Sequence, residues 1–147
     1  MKTVEIYSDG ACSKNPGPGG WAFILKYKEH VIEKSGGEKH TTNNRMELLG
    51  VINALKMLKE ACNVKIYTDS KYIVDSITKG WARRWQKNGW MKNKKEEALN
   101  KDLWQELLCL LDEHNCTLNW VKGHAGHPEN ERCDKLAVLE YKKINIF

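Results

Sequence analysis

The 147-residue chain has no long uncharged apolar run, so no segment reads as a membrane span and no membrane partner is expected. It also lacks a secretory apolar region at its start. Charge enters at once in Met1-Lys2-Thr3-Val4-Glu5, and a cytoplasmic location is the expectation. Cysteine shows no pairing pattern. Cys12, Cys62, Cys109, Cys116 and Cys133 are odd in number and include no CxxC, which argues against a disulfide framework and against zinc and leaves reduced thiols. Long internal repeats and low-complexity tracts are missing as well. A chain of this length fits one compact domain that buries roughly two-thirds of its unfolded surface. Residues 1–147 are read as that single domain, acting as a monomer.

Acidic residues are absent from one stretch. Between Trp81 and Lys95 stand Arg83, Arg84, Lys87, Lys92, Lys94 and Lys95 with no Asp or Glu, while the whole chain carries only +5. The rest is therefore close to neutral, and the positive charge forms a handle at about residues 81–95 suited to a polyanion. Trp81 and Trp85, four apart, share one helix face, while Arg84, Lys87 and Asn88 fall on another. The alternative is that the tryptophans pack this helix onto the body, and for at least one of them that is the stronger reading.

Alternation from Val4 to Asp9 predicts a strand, and strand-like runs follow at Trp21–Tyr27 and His30–Ser35, so the first three strands form an antiparallel meander. The Gly- and Pro-rich run from Gly10 to Gly20 reads as a loop, and Gly36-Gly37 as the end of the third strand. From Asn44 the period becomes helical, with Leu48, Val51, Ile52, Leu55 and Leu58 in one stripe. Val64–Asp69 is a fourth strand, and the intervening helix favours a parallel partner for it. Lys71–Lys79 predicts a short helix ended by Gly80, and Asp102–Glu113 another, with Leu103, Leu107, Leu110 and Leu111 in phase. Thr117–Val121 is a fifth strand, and Pro128 opens a last helix to about Lys143. The charged stretch from Met91 to Lys101 reads as a mobile connection. This order describes an α/β fold, a five-stranded mixed sheet of three antiparallel strands and then two parallel ones, flanked by helices.

Four acids and a histidine stand out. Ile6-Tyr7-Ser8-Asp9 is echoed by Ile66-Tyr67-Thr68-Asp69, each Asp ending a strand in the same phase. If the two strands are parallel neighbours about 4.8 Å apart, the carboxylates lie side by side at the carboxyl edge of the sheet, where such sheets bind ligands. Two like charges that close call for a cation, although each Asp alone could simply bond a turn's backbone. Glu47 lies near the edge of the helix's apolar stripe and could point to the same edge. Asn44-x-x-Glu47 also resembles a capping box, which would turn Glu47 back onto its own helix. His124 stands near the tip of a glycine-flanked loop, where histidines are commonly solvated, and Asp134, between Arg132 and Lys135, reads easily as surface. Taken together, hard oxygen donors without clustered Cys or His select Mg²⁺ or Mn²⁺, and two such ions suit phosphodiester hydrolysis.

Tyr7-Ser8-Asp9-Gly10-Ala11, Asn15-Pro16-Gly17-Pro18-Gly19-Gly20, Thr42-Asn43-Asn44-Arg45-Met46-Glu47, Tyr67-Thr68-Asp69-Ser70 and the run from Lys122 through Gly123-His124-Ala125-Gly126-His127-Pro128 to Asp134 stand in an order and spacing that resemble type 1 ribonuclease H over nearly the whole chain. The resemblance implies the ribonuclease H-like fold and endonucleolytic cleavage of the RNA strand of an RNA–DNA hybrid, leaving a 5′-phosphate and a 3′-hydroxyl. It implies that Asp9, Glu47, Asp69 and Asp134 hold two Mg²⁺ ions, Asp9 touching both, with Mn²⁺ as a substitute, and that His124 assists proton transfer or product release. Cys12, Asn15, Asn43 and Asn44 would line the hybrid groove, where small polar groups can read 2′-hydroxyls. Residues Trp81 to Lys95 resemble a basic protrusion found in some members, with Trp81, Arg84, Trp85 and Lys87 toward the DNA strand. Lys71 is a departure: it stands where well-known relatives carry Gln, so a base-edge hydrogen bond is not implied, while a contact to the hybrid backbone stays open. A hybrid-binding module without catalysis, and a nuclease of the same general fold acting on DNA or structured RNA, are the competing readings.

Overall fold

The computed structural model describes residues 1–124 and 127–145, without the side chains of 124 and 145. Its strands are β1 (Lys2–Cys12), β2 (Gly17–Tyr27), β3 (His30–Thr41), β4 (Cys62–Thr68) and β5 (Asn115–Trp120), and its helices are α1 (Asn43–Leu55), α2 (Lys71–Thr78), α3 (Trp81–Lys87), α4 (Lys101–Asp112) and α5 (Pro128–Asn145). The sheet order is β3-β2-β1-β4-β5, with β1–β2 and β2–β3 antiparallel and β1–β4 and β4–β5 parallel. This is the predicted mixed sheet. The echoed segments are paired in register, Ile6 with Ile66 and Tyr7 with Tyr67, so the repetition in sequence is a repetition in space.

Alternation along β1 divides the core. Val4 and Ile6 join the larger apolar cluster with Leu48, Val51, Ile52 and Leu55 of α1 and Leu103, Trp104, Leu107 and Leu108 of α4. Tyr7 points to the other face, into a smaller cluster with Ala22, Ile24, Cys133 and Ala137, so α5 alone among the described helices contributes to that layer. Tyr7 and Tyr67 stack there with ring centroids 5.0 Å apart. Polar links fasten α5 across β2 and β3: Lys26–Glu129 at 2.6 Å, Arg132 bidentate to Glu33 at 2.9 and 3.1 Å, and Ser35 to Glu140 at 2.9 Å.

The glycine-rich run differs from expectation. β1 extends to Cys12 and β2 begins at Gly17, so most of the expected loop is strand. The glycines serve close approach rather than turning. A Cβ on Gly10 would collide with the backbone of Met46 and Glu47, and one on Gly20 with the carbonyl of Ala137, so α1 and α5 press onto the sheet where side chains are missing. Likewise β3 continues past Gly36-Gly37 to Thr41, still paired with β2, and the Trp21 ring lies where a Gly36 side chain would stand. The stretch from Met91 is also organised: Lys92 N–H donates to Glu96 O at 2.8 Å and Ala98 N–H to Trp90 O at 2.8 Å, with Trp90 and Ala98 buried.

Candidate active site at the carboxyl edge of the sheet

Asp9 sits on β1 just past the last pair with β4, 2% exposed, its Oδ1 accepting the Gly10 N–H at 2.9 Å. Asp69 directly follows β4 and is held by the residues on either side. Thr68 Oγ1 accepts the Ser70 N–H at 3.1 Å, and Ser70 Oγ caps α2 by accepting the Ile73 N–H at 3.2 Å. Strand end and helix start are thereby locked together with Asp69 between them. Glu47 comes from the first turns of α1, the helix that Gly10 allows close to β1. One oxygen from each of Asp9, Glu47 and Asp69 lies within 4.8 Å of the others, the group able to hold a metal among the described residues.

Glu47 does not cap its helix. Thr42 is the N-cap, its hydroxyl accepting the Arg45 N–H at 3.3 Å. The Glu47 carboxyl is turned to the strand end instead, and its Oε2 is buried without a hydrogen-bond partner among the described residues. Burial, and then the charge of Asp69, push the Asp9 carboxyl up to about 8, the Asp134 charge adding to the shift. Burial, followed by the charges of Asp9 and Asp69, raises Glu47 well above the usual carboxylate range. In the metal-free chain this cluster holds onto protons because it cannot bear its full negative charge.

Asp134, on α5, stands outside the group of three but near enough for its charge to act on Asp9. Asn130, one turn earlier, is fully buried and donates from Nδ2 to the carbonyls of Tyr67 at 3.1 Å and Ser8 at 3.4 Å. It ties the ends of β1 and β4 together directly behind the acids. Sequence reasoning missed it, since a helical Asn beside Glu129 and Glu131 looks like surface; its place one turn before Asp134 was the one signal present. His124 ends a short 3-10 turn, Lys122–His124, after β5, and its side chain lies outside the described residues.

Three of the four predicted groove residues meet. Cys12 N–H donates to Asn43 Oδ1 at 2.8 Å, and Asn43 N–H to Asn15 Oδ1 at 3.2 Å, while Asn44 is exposed beside them. The predicted handle residues divide. Trp85 packs against the large core edge-to-face with Trp104, centroids 6.1 Å apart, whereas Arg84 and Lys87 are exposed in the last turn of α3. Trp81 lines a cavity of about 420 Å³ with Tyr72, Trp85, Lys92, Ala98 and Leu99. Lys71 is exposed at the start of α2.

A model of the RNase H family matches residues 1–142. The chain is 60% identical over 146 residues to Ribonuclease H of Desulforamulus reducens, covering 99% of this chain and 92% of that protein. To Ribonuclease HI of Synechocystis sp. it is 53% identical over 141 residues, 95% of this chain and 88% of that one. Among solved structures, LC9-RNase H1, a type 1 RNase H with the type 2 active-site motif, superposes with a TM-score of 0.84 at 34% identity over 97% of this chain and 74% of that one. LC11-RNase H1, solved in complex with an RNA/DNA hybrid, shares the fold with a TM-score of 0.66 at 22% identity over 95% of this chain and 97% of that one. Agreement in sequence over almost the full length, joined to a shared fold, makes this chain a ribonuclease of the type 1 RNase H family.

Proposed function

We propose that the chain is an endonuclease that hydrolyses the RNA strand of RNA–DNA hybrids, leaving 5′-phosphate and 3′-hydroxyl ends, with Asp9, Glu47, Asp69 and Asp134 holding two Mg²⁺ ions and Mn²⁺ able to replace them. The observation that carries this reading is the convergence of three carboxylates within 4.8 Å at the sheet edge, two of them pushed toward their protonated forms by burial and by one another. Such a site gains most from a cation. The donor set fits Mg²⁺: hard carboxylate oxygens, one of them on Glu47 buried and unpartnered, with no thiolate or imidazole in the group. Two divalent ions held there supply Lewis acidity toward both the attacking and the leaving oxygens of a phosphodiester.

The other roles are those that the family resemblance implies. Asp9 feels the charge or hydrogen bonding of the other three acids, so it organises the set. His124, beyond β5, serves proton transfer or product release. The linked Cys12, Asn15 and Asn43, with Asn44 beside them, present small polar groups for 2′-hydroxyls. Arg84 and Lys87 take phosphates of the DNA strand, Trp81 offers an aromatic face at the start of the same helix, and Trp85 holds the helix to the body. On this reading the chain works as one monomeric domain in the cytoplasm, with residues 81–95 as a basic protrusion.

The test is a hybrid labelled separately on each strand, incubated with the chain and Mg²⁺ alongside duplex DNA. Cleavage confined to the RNA strand, with 5′-phosphate ends, is the expected result. Binding without cutting at saturating Mg²⁺ would leave a hybrid-binding module, and equal cleavage of duplex DNA would make the chain a nuclease of different substrate class.

A further inference from the structure

Trp120 ends β5 and is 42% exposed, in neither of the two apolar clusters. Its indole N–H donates to the main-chain carbonyl of Asp69 at 3.2 Å. Lys71, two residues beyond Asp69, carries its ammonium over the same ring, with Nζ 4.4 Å from the ring centroid. An indole bonded to the backbone of one cluster acid thus also supports the lysine that follows it.

We propose that Trp120 is a positioning residue for Lys71: it holds the ammonium beside the acid cluster, where the lysine takes a phosphate of the hybrid next to the one being cut. This rests on the hybrid-cleaving reading above. Lysine is a compact charge on a flexible stem, and left alone it samples many rotamers. An ion pair would fix it at the cost of its charge. An aromatic face fixes it and leaves the positive charge and its N–H donors for a ligand. The indole N–H bond to Asp69 sets where the ring lies relative to the acids, so the spacing from acid cluster to cation is built into the fold. A point charge here favours phosphate over base edges, in keeping with a nuclease of little sequence preference.

Four variants test this: Lys71→Gln, Trp120→Leu, Trp120→Phe and Lys71→Gln combined with Trp120→Leu, each checked by thermal unfolding. Steady-state cleavage of the hybrid is measured as a function of salt. Trp120→Leu is expected to raise KM about two- to five-fold, the range of an exposed cation–π contact, with kcat little changed and Trp120→Phe falling in between. Lys71→Gln should raise KM and lower the log–log salt slope by about 0.9, the value for one neutralised phosphate. The double variant should be no worse than Lys71→Gln alone. Additive losses, an unchanged salt slope in Lys71→Gln, or an unchanged KM in Trp120→Leu would overturn the proposal. A readout free of substrate separates it from the functional reading: ring current should shift the Lys71 Cε protons upfield in the NMR spectrum of the wild-type chain, and Trp120→Leu should abolish the shift. Absence of that shift defeats the pairing itself, whereas a wild-type chain that shows the shift but cuts no hybrid defeats the function on which the phosphate assignment stands.

Discussion

Replacing Asp9 by Asn should stabilise the metal-free chain at alkaline pH while abolishing cleavage. The carboxyl is 2% exposed, and burial together with the Asp69 charge moves its pKa from 3.8 to about 8. An acid with a raised folded-state pKa favours folding while both states are protonated, below about pH 3.8. That contribution is lost as pH rises toward 8, and the loss then levels off. At about 1.4 kcal/mol for each pKa unit the whole change is at most about 6 kcal/mol. The Asn amide is itself a buried polar group that keeps part of the desolvation cost, so the expected gain for Asp9→Asn is about 2–4 kcal/mol at pH 9 and close to nothing at pH 4. Urea unfolding followed by far-UV circular dichroism, in EDTA at pH 4, 6, 8 and 9, measures this directly. Adding Mg²⁺ at pH 8 should raise the wild-type midpoint more than that of the variant, since the ion relieves the charge that Asn has removed. A gain independent of pH, or no gain at pH 9, would refute the account of the cluster as an electrostatic cost held ready for cations.

Replacing Arg84 and Lys87 with Ala should raise KM for the hybrid and flatten the salt dependence of binding by about 0.9 for each phosphate no longer neutralised; an unchanged slope would remove α3 from the interface. Gly20→Ala would drive a methyl into the Ala137 carbonyl and should cost about 1–3 kcal/mol in a thermal or urea melt, so wild-type stability would contradict the close approach of α5. Asn130→Ala strips the carbonyls of Ser8 and Tyr67 of their shared donor. It should cost about 1–3 kcal/mol and lower kcat more than hybrid affinity, and a kcat that stays at the wild-type value would make Asn130 a purely structural group.

Periodicity carried most of the fold. Val4, Ile6 and Tyr7 sort to opposite faces of β1 as their alternation requires, and Leu48, Val51, Ile52 and Leu55 form the buried stripe of α1. What failed was the reading of glycine as punctuation in the first three strands, whereas Gly80 does end its helix. Gly10 and Gly20 lie within strands because helices press against them there, and Gly19 because the side chains of Thr41, Cys12 and Met46 crowd it; tertiary contacts of that kind have no local sequence signature. α4 was legible in extent but not in its centre: the leucines drew attention, while Trp104, joined to Tyr72 Oη by its indole N–H at 2.7 Å, is the largest fully buried side chain among the described residues.

At the site, legibility followed the energetic role of each group. The strand-end acids were visible because charge at a strand end in a repeated phrase is an expense that composition alone does not explain, and parallel pairing of the two phrases turned the repetition into proximity. Glu47 was ambiguous for a physical reason: were Asn44 the cap, a glutamate three residues on would be equally good at capping. Thr42 resolves it, because once the threonine hydroxyl accepts the Arg45 N–H, the helix no longer needs the acid, and Glu47 can be turned into a buried cluster that destabilises the metal-free protein. Asn130 and Trp120 stayed hidden since each works through main-chain carbonyls of distant segments, Asn130 on Ser8 and Tyr67, Trp120 on Asp69. Backbone acceptors are the same in every sequence, so residues that act on them become visible only once the fold has brought those carbonyls to them.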